Sequence, residues 1–156
     1  MQLPNIKVLV ISIASPILVG IYQDDILIDT ITKEGKTSDI LPSLFEKILK
    51  KYSVCDIIYV NGPGSYMAIK IAYIFLKTIS IVNKINLYAA SGFDLNNNSP
   101  IKALGKKYFF RDKNETQKIK IEFLSDHIIE EFRLPEDIRE INYTDNILPE
   151  YNLPAV

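Results

Sequence analysis

The start of the chain contains three short runs rich in β-branched residues, at residues 6–13, 17–22 and 26–31. Pro16 ends the first run, and a polar segment at 23–25 forms a tight turn before the third. Connections this short join antiparallel neighbours, because parallel strands need a long crossover between them. The sequence therefore predicts an antiparallel meander of three strands.

After the third strand the pattern changes to an alternation of helix and strand. Apolar side chains at helical spacing predict a first helix from near Ser38 to about Tyr52. A strand at 55–60, a second helix at about 66–83 and a strand at 85–89 follow. This alternation predicts right-handed crossovers and parallel strands. A meander followed by two crossovers is the strand order of an α/β lobe of the RNase H-like and actin-like type.

The pattern weakens in the last third of the chain. Three short candidate strands predict a small second sheet, at 101–104, 107–111 and 118–123. Residues 125–132 predict a short helix, and the proline-rich tail shows little periodicity. We therefore expect an N-terminal lobe at 1–92 and a reduced C-terminal lobe at 93–156.

Charge and composition narrow the classes of protein. The formal net charge is −1, so no overall field attracts nucleic acid or a membrane. The single cysteine cannot form an internal disulfide, and no cluster of Cys and His has metal-ligand spacing, so we expect no metal and no cofactor. The apolar run near the N-terminus is too short for a signal peptide or a membrane span. A cytoplasmic location without membrane association is the expectation.

The connector after the fourth strand is rich in glycine. A glycine turn at the start of a helix offers free N–H groups and a favourable dipole to a phosphate. However, the Gly-Lys-Ser/Thr ending of a P-loop is missing, and Pro63 removes one N–H. We interpret Gly62, Pro63 and Gly64 as a structural turn, and Ser65 as the cap of the second helix.

The same connector carries a resemblance to a known family. Residues 62–72 read Gly-Pro-Gly-Ser-Tyr-Met-Ala-Ile-Lys-Ile-Ala. This resembles the Gly-Pro-Gly-Ser-Phe-Thr-Gly-Leu-Arg-Ile-Gly signature of the TsaB family, the YeaZ or glycoprotease-like proteins of tRNA threonylcarbamoyladenosine biosynthesis. Segments 35–42, 90–94, 103–110 and 149–154 also resemble family motifs, in the family's order. Family members are usually longer, so the chain resembles a short, divergent member.

The resemblance implies the role of a partner rather than that of an enzyme. In the family, TsaB makes no product alone and dimerises with the ATP-binding subunit TsaD through two helices of its N-lobe. With the ATPase TsaE, they transfer a threonylcarbamoyl group to an adenosine of tRNA. The implied partners are a TsaD-like catalytic subunit and a TsaE-like ATPase. Whether the free chain is a homodimer is left open.

The end of the first strand argues separately against catalysis. Actin-fold enzymes place a carboxylate here, which positions a metal ion near the phosphates of ATP. The family's first strand usually ends Ile-Asp-Thr-Ser, whereas this chain has Ile11-Ser12-Ile13-Ala14. A hard cation would lose its charged ligand. We therefore expect a pseudo-enzyme with no catalytic residue and no metal site.

The second helix is apolar around much of its circumference, which predicts burial on more than one side. One side should face the sheet, and the other is covered either by the first helix or by a partner. We favour the partner, because exposed apolar patches mark interaction sites. The predicted interface lies on both helices, at Leu41, Leu44, Phe45, Ile48, Ser65, Tyr66, Ile69, Lys70, Tyr73 and Leu76.

A locally basic stretch follows at residues 102–120, with aromatic side chains between the lysines. Lys106, Lys107 and Arg111 are candidates for weak or indirect contact with tRNA phosphates. Such alternation is more typical of a half-exposed sheet with lysines on its wet face.

The alternative to a partner protein is an actin-fold enzyme that acts alone, either a nucleotide hydrolase or a peptidase. It would need carboxylates at strand ends around a cleft. Asp24 and Asp25 lie in a predicted turn, and Asp56 lies at the start of a strand rather than at its end. We rank this alternative well below the partner protein.

Overall fold

The computed structural model describes residues 2–112, 118–124 and 129–151. In chain order its α-helices and strands are β1 (Asn5–Ile11), β2 (Ile17–Gln23), β3 (Ile26–Lys33), α1 (Thr37–Lys51), β4 (Ser53–Val60), α2 (Tyr66–Asn83), β5 (Asn86–Ala90), β6 (Ile101–Lys102), β7 (Lys107–Arg111), β8 (Ile119–Phe123) and β9 (Tyr143–Thr144). Six strands form the main sheet in the order β3-β2-β1-β4-β5-β9, and β6-β7-β8 form a second sheet.

The main sheet combines a meander with parallel crossovers. β1 pairs antiparallel with β2, and β2 with β3, whereas β1 with β4 and β4 with β5 are parallel. The turn between β2 and β3 consists of Asp24 and Asp25, both at positive φ, which matches the twist of a two-residue hairpin. The predicted fold class is confirmed: this is an α/β fold of the actin-like, RNase H-like type.

The sheet carries a different covering on each face. Alternate side chains of β1, including Val8 and Val10, share a buried cluster with α1 and α2. The intervening Leu9 and Ile11 share a second cluster with later parts of the chain, including Phe109. Both faces of the central strands are therefore dry, and α1 and α2 lie on the same face.

Helix α2 is fixed at both ends. The Ser65 hydroxyl accepts a hydrogen bond from the backbone N–H of Ala68, and Lys84 ends the helix in the left-handed conformation. Parallel strands precede and follow it, so it lies along the sheet. In length and composition α2, alone among the described helices, would suffice to cross a membrane, but a helix of a soluble core meets the same two conditions.

The C-terminal part departs from the sequence prediction. Residues 129–132, the described end of the predicted helix 125–132, are not helical, and 125–128 lie outside the described residues. β9 was not predicted, because two residues are too short for a periodic signal. It adds the tail to the edge of β5. The division at residue 92 stays a prediction.

Candidate functional site

The outward face of α2 carries a row of exposed apolar side chains. Met67 is 58% exposed, Ile74 54%, Ile81 69% and Val82 74%. Met67, Ile74 and Ile81 follow each other two turns apart, and therefore lie on one face. We call these four residues the α2 stripe. Clustered exposed apolar side chains of this kind mark a contact surface more often than isolated ones do.

Two lysines border the α2 stripe. Lys70 Nζ lies 6.0 Å from the ring centroid of Tyr66, and Lys77 Nζ lies 5.4 Å from that of Tyr73. Lys77 also donates a hydrogen bond of 3.0 Å to the Tyr73 hydroxyl. Since α2 contains no Asp or Glu, the charge that α2 itself contributes beside the stripe is positive. A complementary surface would be apolar at its centre and acidic along this border.

Most of the predicted interface residues lie elsewhere. Ser65, Tyr66 and Lys70 are exposed, and Tyr73 is partly exposed. The other six are buried in the chain's own core, with 0–7% of their surface exposed: Leu41, Leu44, Phe45, Ile48, Ile69 and Leu76. They pack on the sheet or between the two helices and cannot reach a partner. The structure therefore contradicts the exposure expected of these six residues, and the exposed apolar side chains of α2 are those of the α2 stripe, which the predicted interface did not include.

A cleft of about 800 Å³ opens beside the carboxyl ends of β1 and β4. It is lined by three short segments, at 13–15, 64–67 and 102–104. None of these lining residues carries a carboxylate, and the residue after β1, Ser12, is only 3% exposed. Among the described residues no three His, Cys, Asp or Glu side chains come close enough to hold a metal ion.

The tail passes over the turn that precedes α2. The hydroxyl of Tyr59 donates to the carbonyl of Ile147, and Asn61 Nδ2 donates to the carbonyl of Leu148 at 2.9 Å. The backbone N–H of Glu150 donates to the carbonyl of Asn61 at 2.8 Å. Burial raises the pKa of the Tyr59 hydroxyl. We call residues 147–151 the strap.

The strap explains why the turn begins with glycine. Gly62 has φ +137°, and a Cβ there would overlap the carbonyl oxygen of Glu150. At the end of the strap, the ring of Tyr151 lies 4.3 Å from that of Tyr66 on the first turn of α2. The sequence analysis saw the Pro149 to Pro154 segment only as a family motif, and did not place it against the turn.

The three candidate tRNA-contact residues have different surroundings in the structure. Arg111 forms an ion pair of 3.0 Å with Asp94, donates from Nε to Asn98 Oδ1 at 2.7 Å, and lies over the ring of Phe93. Its guanidinium therefore contributes to contacts within the chain, and its predicted contact with phosphate stays a prediction. Lys106 and Lys107 are exposed.

No family model matches the sequence, and no curated protein matches it significantly. Solved structures do match. YeaZ from Pseudomonas aeruginosa superposes with a TM-score of 0.58 at 9% identity, over 83% of this chain and 67% of that one. A structure described as an uncharacterized protein with similarity to peptidase YeaZ from Pseudomonas aeruginosa gives 0.62 at 10% identity, over 83% and 70%. The likeness establishes a YeaZ-like fold.

Proposed function

We propose that this chain is a non-catalytic partner subunit of the machinery that makes threonylcarbamoyladenosine in tRNA. In this proposal it forms a dimer with a TsaD-like catalytic subunit through the outward face of α2. The α2 stripe is the observation that carries the proposal, because four exposed apolar side chains on a YeaZ-like fold have no role in the chain's own core.

The shape of the α2 surface indicates how a partner would bind. The stripe offers an apolar centre, and Lys70 and Lys77 offer positive charge on one side of it. Apolar side chains at the centre would contribute most of the binding energy, and the charges would set orientation and association rate. The partner surface would therefore present apolar side chains beside carboxylates.

The absence of catalysis is also part of the proposal. A carboxylate at the end of β1 would be needed to hold a cation near phosphates, and this chain has Ser12 and Ile13 there. The described residues that line the neighbouring cleft supply no replacement. Metal-dependent ATP hydrolysis by the purified chain, abolished by a substitution in this cleft, would revive the alternative of an independent nucleotide hydrolase.

The proposal also includes a cellular location and further binding partners. The dimer would work in the cytoplasm together with a TsaE-like ATPase. Contact of this chain with tRNA would be weak and would involve Lys106 and Lys107, since Arg111 is held by Asp94. A homodimer through the same α2 stripe would compete with the TsaD-like subunit.

The test is co-purification of this chain with the TsaD-like protein of its own organism. Ile74→Asp puts a charge in the middle of the stripe and should weaken the complex at least about 30-fold, because a central interface residue contributes about 2 kcal/mol or more. The matched control is Ile28→Asp, at a side chain that is 47% exposed on β3. This control should bind like wild type.

Either of two results would contradict the proposal. One is the absence of a complex with wild type under conditions in which both proteins are folded. The other is equal weakening by Ile74→Asp and Ile28→Asp, which would place the contact outside α2.

A further inference from the structure

The main sheet has one edge that the described residues leave largely open. The strand on that side is β3, which has eight residues and is covered only at its start. There the backbone N–H of Leu27 donates to the carbonyl of Glu136 at 2.8 Å, and Ile26 forms a bridge with Asp137. Along residues 28–33 no other described strand pairs with this edge. An open edge of this length is a template for pairing with another strand.

The backbone groups of β3 that face outward follow from its hydrogen bonds. The bond to Glu136 shows that the N–H of Leu27 faces away from β2. Ile28 is the extra residue of a bulge, so Asp29 is the next residue of β3 that pairs with β2. Since successive pairs alternate between bonded and non-bonded, Asp29 bonds to β2, whereas Thr30 and Thr32 face outward. The N–H of Thr30 agrees with this, because it donates to the carboxylate of Asp29 at 2.9 Å.

The side chains of the open stretch are self-complementary in charge. Asp29 and Lys33 are exposed, and neither forms an ion pair within the part of the chain that the structure describes. Both are two residues from Ile31, so the three side chains share one face of the strand. When two β3 strands pair antiparallel about Ile31, Asp29 of each copy lies opposite Lys33 of the other.

The backbone supports the same register. Antiparallel strands exchange two hydrogen bonds at every second pair, and only outward-facing residues can take part. A ladder centred on Ile31 pairs Thr30 of each copy with Thr32 of the other, so that all of these outward groups are used. Ladders centred on Thr30 or on Thr32 also pair outward-facing residues, but they move Asp29 away from Lys33. The charges therefore select the register centred on Ile31.

We propose that a second copy of this chain pairs with residues 29–33 in an antiparallel ladder centred on Ile31, which joins the two main sheets into one. The carboxylate of Asp29 exchanges its bond with the Thr30 N–H for an ion pair with Lys33 of the second copy. A ladder this short buries less than the ~1,000 Å² of a stable interface, so the dimer is weak. Helix α2 packs on β4 and β5 and takes no part, so the inference is independent of the proposed function.

The test is sedimentation equilibrium of the purified full chain at concentrations up to about 1 mM. A reversible equilibrium between monomer and dimer is the expected result. Sodium chloride should weaken the dimer, because salt screens exposed charge pairs. Ile74→Asp in the α2 stripe is the control and should leave the equilibrium unchanged. A dimer that Ile74→Asp abolishes would lie on α2 and would overturn the proposal.

Charge reversal tests the register. Asp29→Lys puts like charges opposite each other at both symmetric pairs and should weaken the dimer about tenfold, and Lys33→Asp should do the same. The double variant with both substitutions restores opposite charges and should dimerise within about twofold of wild type. Lys47→Asp, on the outer face of α1, changes the net charge as Lys33→Asp does. This control should dimerise like wild type.

Thr30→Pro tests the backbone ladder. It removes an N–H that faces away from β2, so the dimer should be lost while circular dichroism shows a folded monomer. The proposal is overturned if wild type stays monomeric, or if Thr30→Pro or either single charge reversal dimerises like wild type. It is also overturned if the double variant is as weak as the single ones. Because no TsaD-like protein is present, these results do not depend on whether such a partner binds α2.

Discussion

The two helices lie side by side on the same face of the sheet but differ in the faces that they turn to solvent. Both contribute to one core, where the ring of Phe45 on α1 meets that of Phe75 on α2 edge to face at 5.9 Å. The outward face of α1 is polar and includes Ser43, Glu46 and Lys47. The outward face of α2 is the stripe at Met67, Ile74, Ile81 and Val82.

This difference shows that the fold does not account for the stripe. A helix at this position needs one apolar side for the sheet and its neighbour, and α1 meets that need with polar side chains outside. α2 has the same inward contacts and is apolar outside as well. Its outward composition therefore reflects something other than the stability of the isolated chain.

The largest expected effect concerns the buried contact between α1 and α2. Phe45→Ala should destabilise the protein by about 3–5 kcal/mol, because it removes a fully buried ring and leaves a cavity between α1 and α2. Urea unfolding followed by circular dichroism measures it. Lys47→Ala, on the outer face of the same helix, should stay within about 0.5 kcal/mol of wild type. A small effect of Phe45→Ala would indicate that Phe45 is exposed, as its place in the predicted interface requires.

The second effect concerns the strap, which covers the start of α2 and has no counterpart at the start of α1. Gly62→Ala should cost about 1–3 kcal/mol in backbone strain alone, and the clash with Glu150 adds to it. The strap should then detach, which hydrogen exchange at the Glu150 amide would report. Gly105→Ala is the control, because Gly105 also has positive φ but nothing lies within 4 Å of its Cβ position. A protected Glu150 amide in Gly62→Ala would show that the strap does not depend on this approach.

The third effect is a pH dependence that arises from two buried tyrosines. Burial raises the pKa of Tyr59 beneath α2, and likewise that of Tyr22, whose hydroxyl donates to the carbonyl of Pro135 at 2.7 Å. When the pKa is raised in the folded state, the tyrosine's contribution to the free energy of unfolding is fully present below its pKa in the unfolded chain, which is about 10. This contribution is lost as the pH rises above that value. Wild type should therefore lose stability steeply in alkali.

Tyr59→Phe distinguishes the stability that the hydrogen bond of this hydroxyl contributes from the pH dependence that its raised pKa causes. At neutral pH it should cost about 1 kcal/mol, because the carbonyl of Ile147 loses its donor. Above about pH 10 the free energy of unfolding should fall less steeply with pH than in wild type, because one tyrosine with a raised pKa has been removed. Urea unfolding at several pH values gives both numbers, and Tyr22→Phe should flatten the slope in the same direction. Unchanged slopes in both variants would contradict the burial argument.

The comparison of the helices also shows how far sequence reasoning reaches. Strands β1 to β5, their order and the ends of both helices follow from local signals, which are the lengths of the apolar runs, the turns and the cap at Ser65. The orientation of α2 does not. Ile69 and Ile74 are the same residue type on a helix that is apolar all round, and only the packing of α1 and the sheet buries the first and exposes the second.

The cleft beside the carboxyl ends of β1 and β4 depends on the same kind of non-local information. Its lining segments, at 13–15, 64–67 and 102–104, are far apart in sequence and meet only in the fold. The missing carboxylate after β1, in contrast, could be identified from the residue type alone. Sequence therefore identifies the residue at a given strand end more readily than the surface that the fold exposes.

The smallest expected effect is the sharpest test of the comparison. The double substitution Ile74→Gln and Ile81→Gln gives α2 an outward face as polar as that of α1. If the stripe has no role in the fold, the free energy of unfolding should change by less than about 1 kcal/mol, since both side chains are more than half exposed. The same variant should lose the TsaD-like partner in co-purification. A loss of more than about 2 kcal/mol would instead show that the stripe is buried within the chain in solution, and α1 and α2 would then differ only in what covers them.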